Sequence, residues 1–327
     1  MAFLDYVVLV PSLGLSLMIV VPLTGCLVRF RSNYTPIGLA LDVEDGAAPH
    51  TGPVVTSYFA MFRRVWNIEG LQGLYKGLMP TLLTALVVSL SLLIFLDDSE
   101  SDSPRQHRHG AYRPPVAGVV GTLLYGVGMM VLSLPSAIIT YRSITTPHKL
   151  PYFQPLKSLR VLLTPTEMRR PWILYMTPGL LLAESLHVAY VTVILGPLHR
   201  LLIPMTAGPG GLAFPEITPG KLAIYFFIVL VSTAILTPLE VIATRLAIQR
   251  NHAAAEYNSV TQEVDGEAED VPEFAGAEED VIGLRNEADP YLGLVHCAKT
   301  IVDEEGFRAL YRAWWVTLLG GLISALA

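Results

Sequence analysis

Three times in this chain an apolar run reaches a proline and, seven residues later, an arginine: Pro22 and Arg29 in PLTGCLVR, Pro135 and Arg142 in PSAIITYR, Pro238 and Arg245 in PLEVIATR. The prolines lie 113 and 103 residues apart, so the chain reads as three tandem units. A second signal follows each: EGLQGLYKG at Glu69–Gly77, RPWILYMT at Arg170–Thr177 and EGFRALYRA at Glu305–Ala313. The units span residues 1–100, 101–215 and 216–327, the last with an acidic insertion at about 251–290.

The apolar residues come in blocks, and with 52% hydrophobic and 15% charged residues the chain is an all-α membrane protein in expectation. Six blocks stand out: Tyr6–Val28, Leu78–Leu96, Pro115–Tyr141, Ile173–Pro204, Lys221–Ile248 and Ala313–Ala327. A span needs roughly 20 mostly apolar residues, which the first five supply. From Trp314 only fourteen residues remain, so the sixth helix either begins inside the preceding motif or is short.

The segments joining helices one to two, three to four and five to six hold 17 of the 22 Lys and Arg residues. This positive-inside pattern puts both termini on the less basic side. Fifteen of the 28 acids fall between Glu256 and Glu305. The stretch Glu256–Ala288 is too poor in apolar residues to pack, and is expected to be a dispensable loop that could bind a protein partner. Cys26 and Cys297 imply no disulfide framework. Asp5, and the lack of Lys or Arg before Arg29, argue against a cleaved leader.

Taken together, Pro238-Leu239-Glu240 with Arg245, Glu69-Gly70 with Tyr75-Lys76-Gly77, and their phased counterparts resemble the mitochondrial carrier family. The resemblance covers nearly the whole chain. It implies a six-helix, pseudo-threefold bundle of three two-helix repeats, with short membrane-parallel helices near Tyr58–Asn67, Pro155–Leu163 and Leu292–Asp303. It also implies a central cavity and metabolite exchange by alternating access.

Each motif has a physical task. Pro22, Pro135 and Pro238 each delete a backbone hydrogen bond and should kink the odd helices, whose ends carry the ring of Arg29, Arg142, Glu240 and Arg245. Tyr75, Lys76, Gly77, Tyr311 and Arg312 open even helices, where unpaired amides and a positive dipole end suit a lipid phosphate. The resemblance implies cardiolipin there. Plain interfacial anchoring explains the same residues equally well.

The departures are as informative. Family members place an acid two residues and a base five residues after each proline, and these pair to close a gate. Here the acid positions are Thr24, Ala137 and Glu240, and the base positions are Leu27, Thr140 and Ala243. One charge of six survives, so a salt-bridge gate is not expected. The family's substrate contacts map to Thr84, Glu184 and Gly320, and only Glu184 is charged. Ser185 follows it, and His187 shares its helical face. An ionisable residue at membrane depth is a site hypothesis by default. The alternatives are a structural Glu184–His187 tie, or a metal site for which two ligands are too few.

No phosphate loop, zinc cluster or nucleophile elbow is present, so no enzyme activity and no cofactor are expected, nor is nucleic acid a partner. Two functions remain. One is a transporter of a small cationic or neutral solute in a mitochondrial membrane, the inner ahead of the outer, contacting lipids. The other is a carrier-fold protein of the outer membrane that no longer transports and acts in fusion, lipid handling or protein insertion.

Overall fold

A computed structural model describes residues 2–37, 54–86, 118–152, 154–207, 213–215, 218–251, 275, 280–286 and 289–326. Four helices are long and apolar enough to cross a membrane: Gly14–Ser32 within α1 (Ala2–Ser32), α5 (Val119–Thr145), Leu180–Leu202, and α10 (Pro219–Ile248). The third is continuous through α8 (Leu180–Tyr190), a π turn at Val191–Leu195 and α9 (Gly196–Leu202). Two further segments stand at the places of the remaining apolar blocks. Helix α4 covers 78–86 of the described residues, and α12 (Trp314–Leu326) has 13 residues, a rise of about 20 Å against a hydrocarbon core of about 30 Å.

Helix α10 packs against α8, α12, α5 and α1. Its first half alternates sides: Tyr225, Val229 and Ser232 are buried, while Phe226, Phe227, Leu230 and Val231 stay exposed. Helices apolar all round suit a bilayer, where the outward face meets lipid rather than water. Near its C-terminal end, from Val241 to Ala247, α10 is buried on every side. Both Pro135 and Pro238 lie inside continuous helices.

The three short helices expected on the basic side are α2 (Tyr58–Ile68), α6 (Pro155–Leu162) and α11 (Leu294–Glu305). Their faces follow from spacing. In α2, Tyr58, Met61 and Val65 are buried, and the Ser57 hydroxyl caps the start by accepting from the Ala60 amide at 3.2 Å. In α11 the buried positions are Cys297, Ile301 and Glu305, four residues apart. Two one-turn helices, α3 (Gly70–Leu74) and α7 (Pro165–Arg169), complete the connections.

Two observations differ from the sequence reading. After α9 two short strands, β1 (Met205–Ala207) and β2 (Ala213–Pro215), pair antiparallel where a helical block was read as far as Pro204. Most of the acidic insertion lies outside the described residues, but its last part packs. Val281 and Ile282 are buried against Phe30, Met61 and Val65. Arg64 donates to the Val281 and Asp280 carbonyls at 3.1 and 3.0 Å. Gly283 exchanges hydrogen bonds with Tyr34 and Asn33, and Arg285 pairs with Glu304 at 2.9 Å. Dispensability therefore cannot extend through residue 286. Two apolar residues among many acids were enough to dock the segment.

Candidate functional site

The three motif arginines form a closed ring. Arg29 donates Nε to the Ile144 carbonyl at the end of α5 (3.0 Å), Arg142 donates Nε to Ala247 at the end of α10 (3.4 Å), and Arg245 donates Nε to Arg31 at the end of α1 (3.1 Å). Each odd helix thus lays a cation on the negative dipole end of the next. The remaining guanidinium nitrogens hold an acid further along the chain: Glu69 at 2.5 Å, Glu167 at 2.6 and 3.0 Å, and Glu305 in a bidentate pair. All three arginines are buried. Such pairs offset their desolvation only when further hydrogen bonds satisfy the remaining polar atoms, and helix-end carbonyls and backbone amides supply them here. Glu167 also accepts from the Asn251 and Thr164 amides at 3.0 and 3.1 Å. Burial pushes its carboxyl up, but Arg142 and those amides outweigh it and hold the group below the ordinary carboxylate value.

Glu69 and Glu305 belong to the Glu-Gly motifs, and both following glycines take left-handed backbone, φ +65 at Gly70 and +84 at Gly306. Left-handed geometry recurs seven residues on, at Gly77 (φ +85) and at Ala313 (φ +56). A methyl at Gly77 would meet Ile144 Cγ1 at 2.9 Å. The middle motif has no acid at that register. It recruits Glu167 instead, through a capping box with Thr164 on α7. The sequence signal was available: Glu167 is the single acid in a strongly basic segment.

Tyr75, Lys76, Tyr311 and Arg312 are used inside the protein. A proline leaves the carbonyl four residues earlier without its helical donor. The Tyr75 hydroxyl donates to Met18, four before Pro22, at 3.0 Å, and the Tyr311 hydroxyl to Ala234, four before Pro238, at 3.1 Å. Lys76 is buried between Glu69 (2.5 Å) and the Thr146 carbonyl (2.8 Å). Burial lowers its ammonium to about 8, against the pull of Glu69. Arg312 reaches Asn33, Thr35 and Glu305, and burial lowers it to about 10. Both cations are engaged in ion pairs inside the protein.

Glu240 is also not alone. Its Oε2 accepts from Arg31 and from the Thr317 hydroxyl, both at 2.6 Å, and Arg31 donates to Thr317 at 2.9 Å. A bridge therefore joins α1, α10 and α12 where none was expected. Its base is nine residues after Pro22 rather than five. The second arginine of LVRFR was the missed clue.

Glu184 lies on α8 within electrostatic reach of Glu240. Tyr141 on α5 senses Glu184, Arg31 and Glu240, and His187 senses Glu240 and Arg31. The group is partly buried, and its electrostatic neighbours sit on three other helices, α1, α5 and α10. Among the described residues the side chains of Glu184, Ser185 and His187 make no hydrogen bond or ion pair with one another or with any other residue. No group of three His, Cys, Asp or Glu among the described residues could hold a metal. Thr84 bonds back to the Pro80 carbonyl of its own helix at 2.7 Å, and a side chain at Gly320 would meet open space.

No curated protein matches the chain. Residues 226–327, from within α10 through α12, match the family model described as mitochondrial carrier protein. That match takes in Pro238, Glu240, Arg245, Glu305, Tyr311 and Arg312, and with the apolar helices it points to a mitochondrial membrane. Over this last third of the chain the sequence is similar to mitochondrial carrier proteins.

Proposed function

We propose that the protein carries a small solute across a mitochondrial membrane by alternating access, through six helices built as three tandem units. One observation carries this reading. Glu184, Tyr141 and His187 converge with the Arg31–Glu240 bridge, and Glu184 has no partner of its own, although every other charge near it is paired. A structural carboxylate at that depth would be held by a cation. An unheld one suits a group that meets a mobile ligand.

Arg31–Glu240–Thr317 serves as the gate contact on the basic side. A single bridge, 2.6 Å long with Glu240 partly exposed, breaks at lower cost than the buried ring beside it. The basic side faces the matrix, the membrane is the inner one, and lipid contacts run along the exposed apolar faces. Nothing in the site favours a non-transporting role. The test is exchange of labelled metabolites by purified protein in cardiolipin-containing liposomes. Uptake of at least one solute is expected, and its absence across anions, zwitterions and cations overturns the proposal.

A further inference from the structure

We infer that residues 280–286, the docked end of the acidic insertion, form a strap that latches the first unit to the third on the basic side, so that the seam between them parts only when the strap lifts. That lifting it admits solute rests on the transporter reading; the latch itself is a property of the fold.

The placement comes first. Val281 and Ile282 enter a cluster drawn from two units: Phe30, Met61 and Val65 belong to the first, Ala313 to the third. The Arg64 guanidinium on α2 donates to the Asp280 and Val281 carbonyls at 3.0 and 3.1 Å. The Gly283 carbonyl accepts from the Tyr34 amide at 2.8 Å, and its amide donates to the Asn33 side chain at 3.0 Å. Two residues on, Arg285 pairs with Glu304 of α11 at 2.9 Å and lies 5.1 Å from the centre of the Tyr291 ring. The segment is thus bonded to the first unit at one end and to the third at the other. Upstream, the Ala275 amide donates to the Pro147 carbonyl of the second unit at 2.9 Å, so the insertion touches all three units.

The inner contacts of the same seam come second. Thr35 donates its amide to Glu305 at 3.2 Å, and the Asn33 carbonyl accepts from Arg245 at 3.2 Å and from Arg312. Residues 33–35 therefore meet the arginine ring and the strap together. The two layers differ in strength. Arg245 and Glu305 are buried, whereas the side chains of Arg285 and Glu304 keep 17% and 30% of their surface exposed, so water and salt reach that pair. A strap held by one wet ion pair, a few backbone bonds and two apolar side chains can lift without unfolding the helices beneath it. Its removal raises the open population of the seam by whatever those contacts contribute.

Hydrogen–deuterium exchange on the purified full-length protein in detergent tests this with two reporters one residue apart. The Tyr34 amide, bonded to the strap, reads its lifting; the Thr35 amide, bonded to Glu305, reads the parting of the seam. Arg285→Ala should speed exchange at both by about two- to fivefold, the range that an exposed ion pair commands. Raising sodium chloride from about 0.1 M to about 1 M should do the same in the unaltered protein, with no variant to fold. A cleavable bis-maleimide joining Arg285→Cys to Glu304→Cys, in a Cys26→Ser, Cys297→Ser background, should slow Thr35 below the parent until the linker is reduced. Faster exchange at Tyr34 with Thr35 unchanged overturns the latch and makes the strap a passenger of the first unit. Unchanged exchange at both amides overturns it as well. Labelled-metabolite exchange in cardiolipin-containing liposomes separates this from the broader reading. Uptake with Thr35 unmoved by variant and salt overturns the latch and leaves the transporter standing. A Thr35 response without uptake of any solute overturns the transporter and leaves the latch.

Discussion

The arginine ring and the Glu184 cluster use the same residue types and nearly the same stretches of chain. Tyr141 is beside Arg142, Arg31 is two residues after Arg29, and Glu240 is five before Arg245. In the ring each guanidinium is buried and engaged on every side, bonded to an acid and to a helix-end carbonyl. In the cluster one bridge is made, one carboxylate is left alone, and one guanidinium nitrogen is idle. A charge whose partners are built in holds helices together, and in the proposed function a charge without one is open to a ligand.

The largest expected effect breaks the ring. Glu305→Ala strands Arg245, and also Arg312, in a buried site, so it should cost roughly 3–5 kcal/mol in unfolding free energy, read by thermal unfolding in detergent. A loss under about 1 kcal/mol would mean that water reaches the ring. Next comes the docked end of the acidic insertion. Ile282→Ala empties part of the pocket near Met61 and Val65 and should cost about 2 kcal/mol, whereas a loop that merely drapes over the surface would give almost nothing.

A subtler test concerns the tyrosines beneath the prolines. Tyr311→Phe leaves the Ala234 carbonyl without its donor and should cost about 1 kcal/mol. In a Pro238→Ala background the helical amide returns, and the cost should vanish, a coupling that a double-mutant cycle reads directly. An equal cost in both backgrounds would make Tyr311 an interfacial anchor after all.

The smallest signal is a pH dependence. Glu167 has a folded value below the ordinary 4.5, so the unfolded chain binds more protons in that window. Its contribution to stability is present above about pH 4.5 and lost as pH falls further. The slope of stability against pH below about 4.5 should flatten in Glu167→Gln, measured by chemical unfolding at fixed salt. An unchanged slope would place the acid sensitivity elsewhere.

The sequence disclosed the phased prolines and arginines, the apolar blocks and the three short helices because each is a local pattern with a fixed spacing. It did not disclose partners, which depend on where distant segments meet. Arg31 reaches Glu240 across 209 residues, and no spacing rule ties a base nine positions after Pro22 to an acid two positions after Pro238. Glu167 hid for a similar reason, since the middle motif lost its Glu-Gly register and a capping box on α7 moved the acid into place. Tyr75 and Tyr311 were legible as aromatic residues at a helix start, but their use became clear only with the orphaned carbonyls of Met18 and Ala234 in view. Glu184 was legible by family register and by its rarity as a charge in an apolar helix. That it lacks a partner was visible only in three dimensions.

The central claim is that Glu184 serves a ligand and the ring serves the fold, and the Glu184→Gln variant tests it most directly when unfolding and solute exchange are measured on the same preparation. The account predicts a stability within about 0.5 kcal/mol of the parent, or higher, because no built-in partner is stranded, together with loss of exchange in liposomes. A loss of several kcal/mol, or exchange that continues at the parental rate, would contradict it.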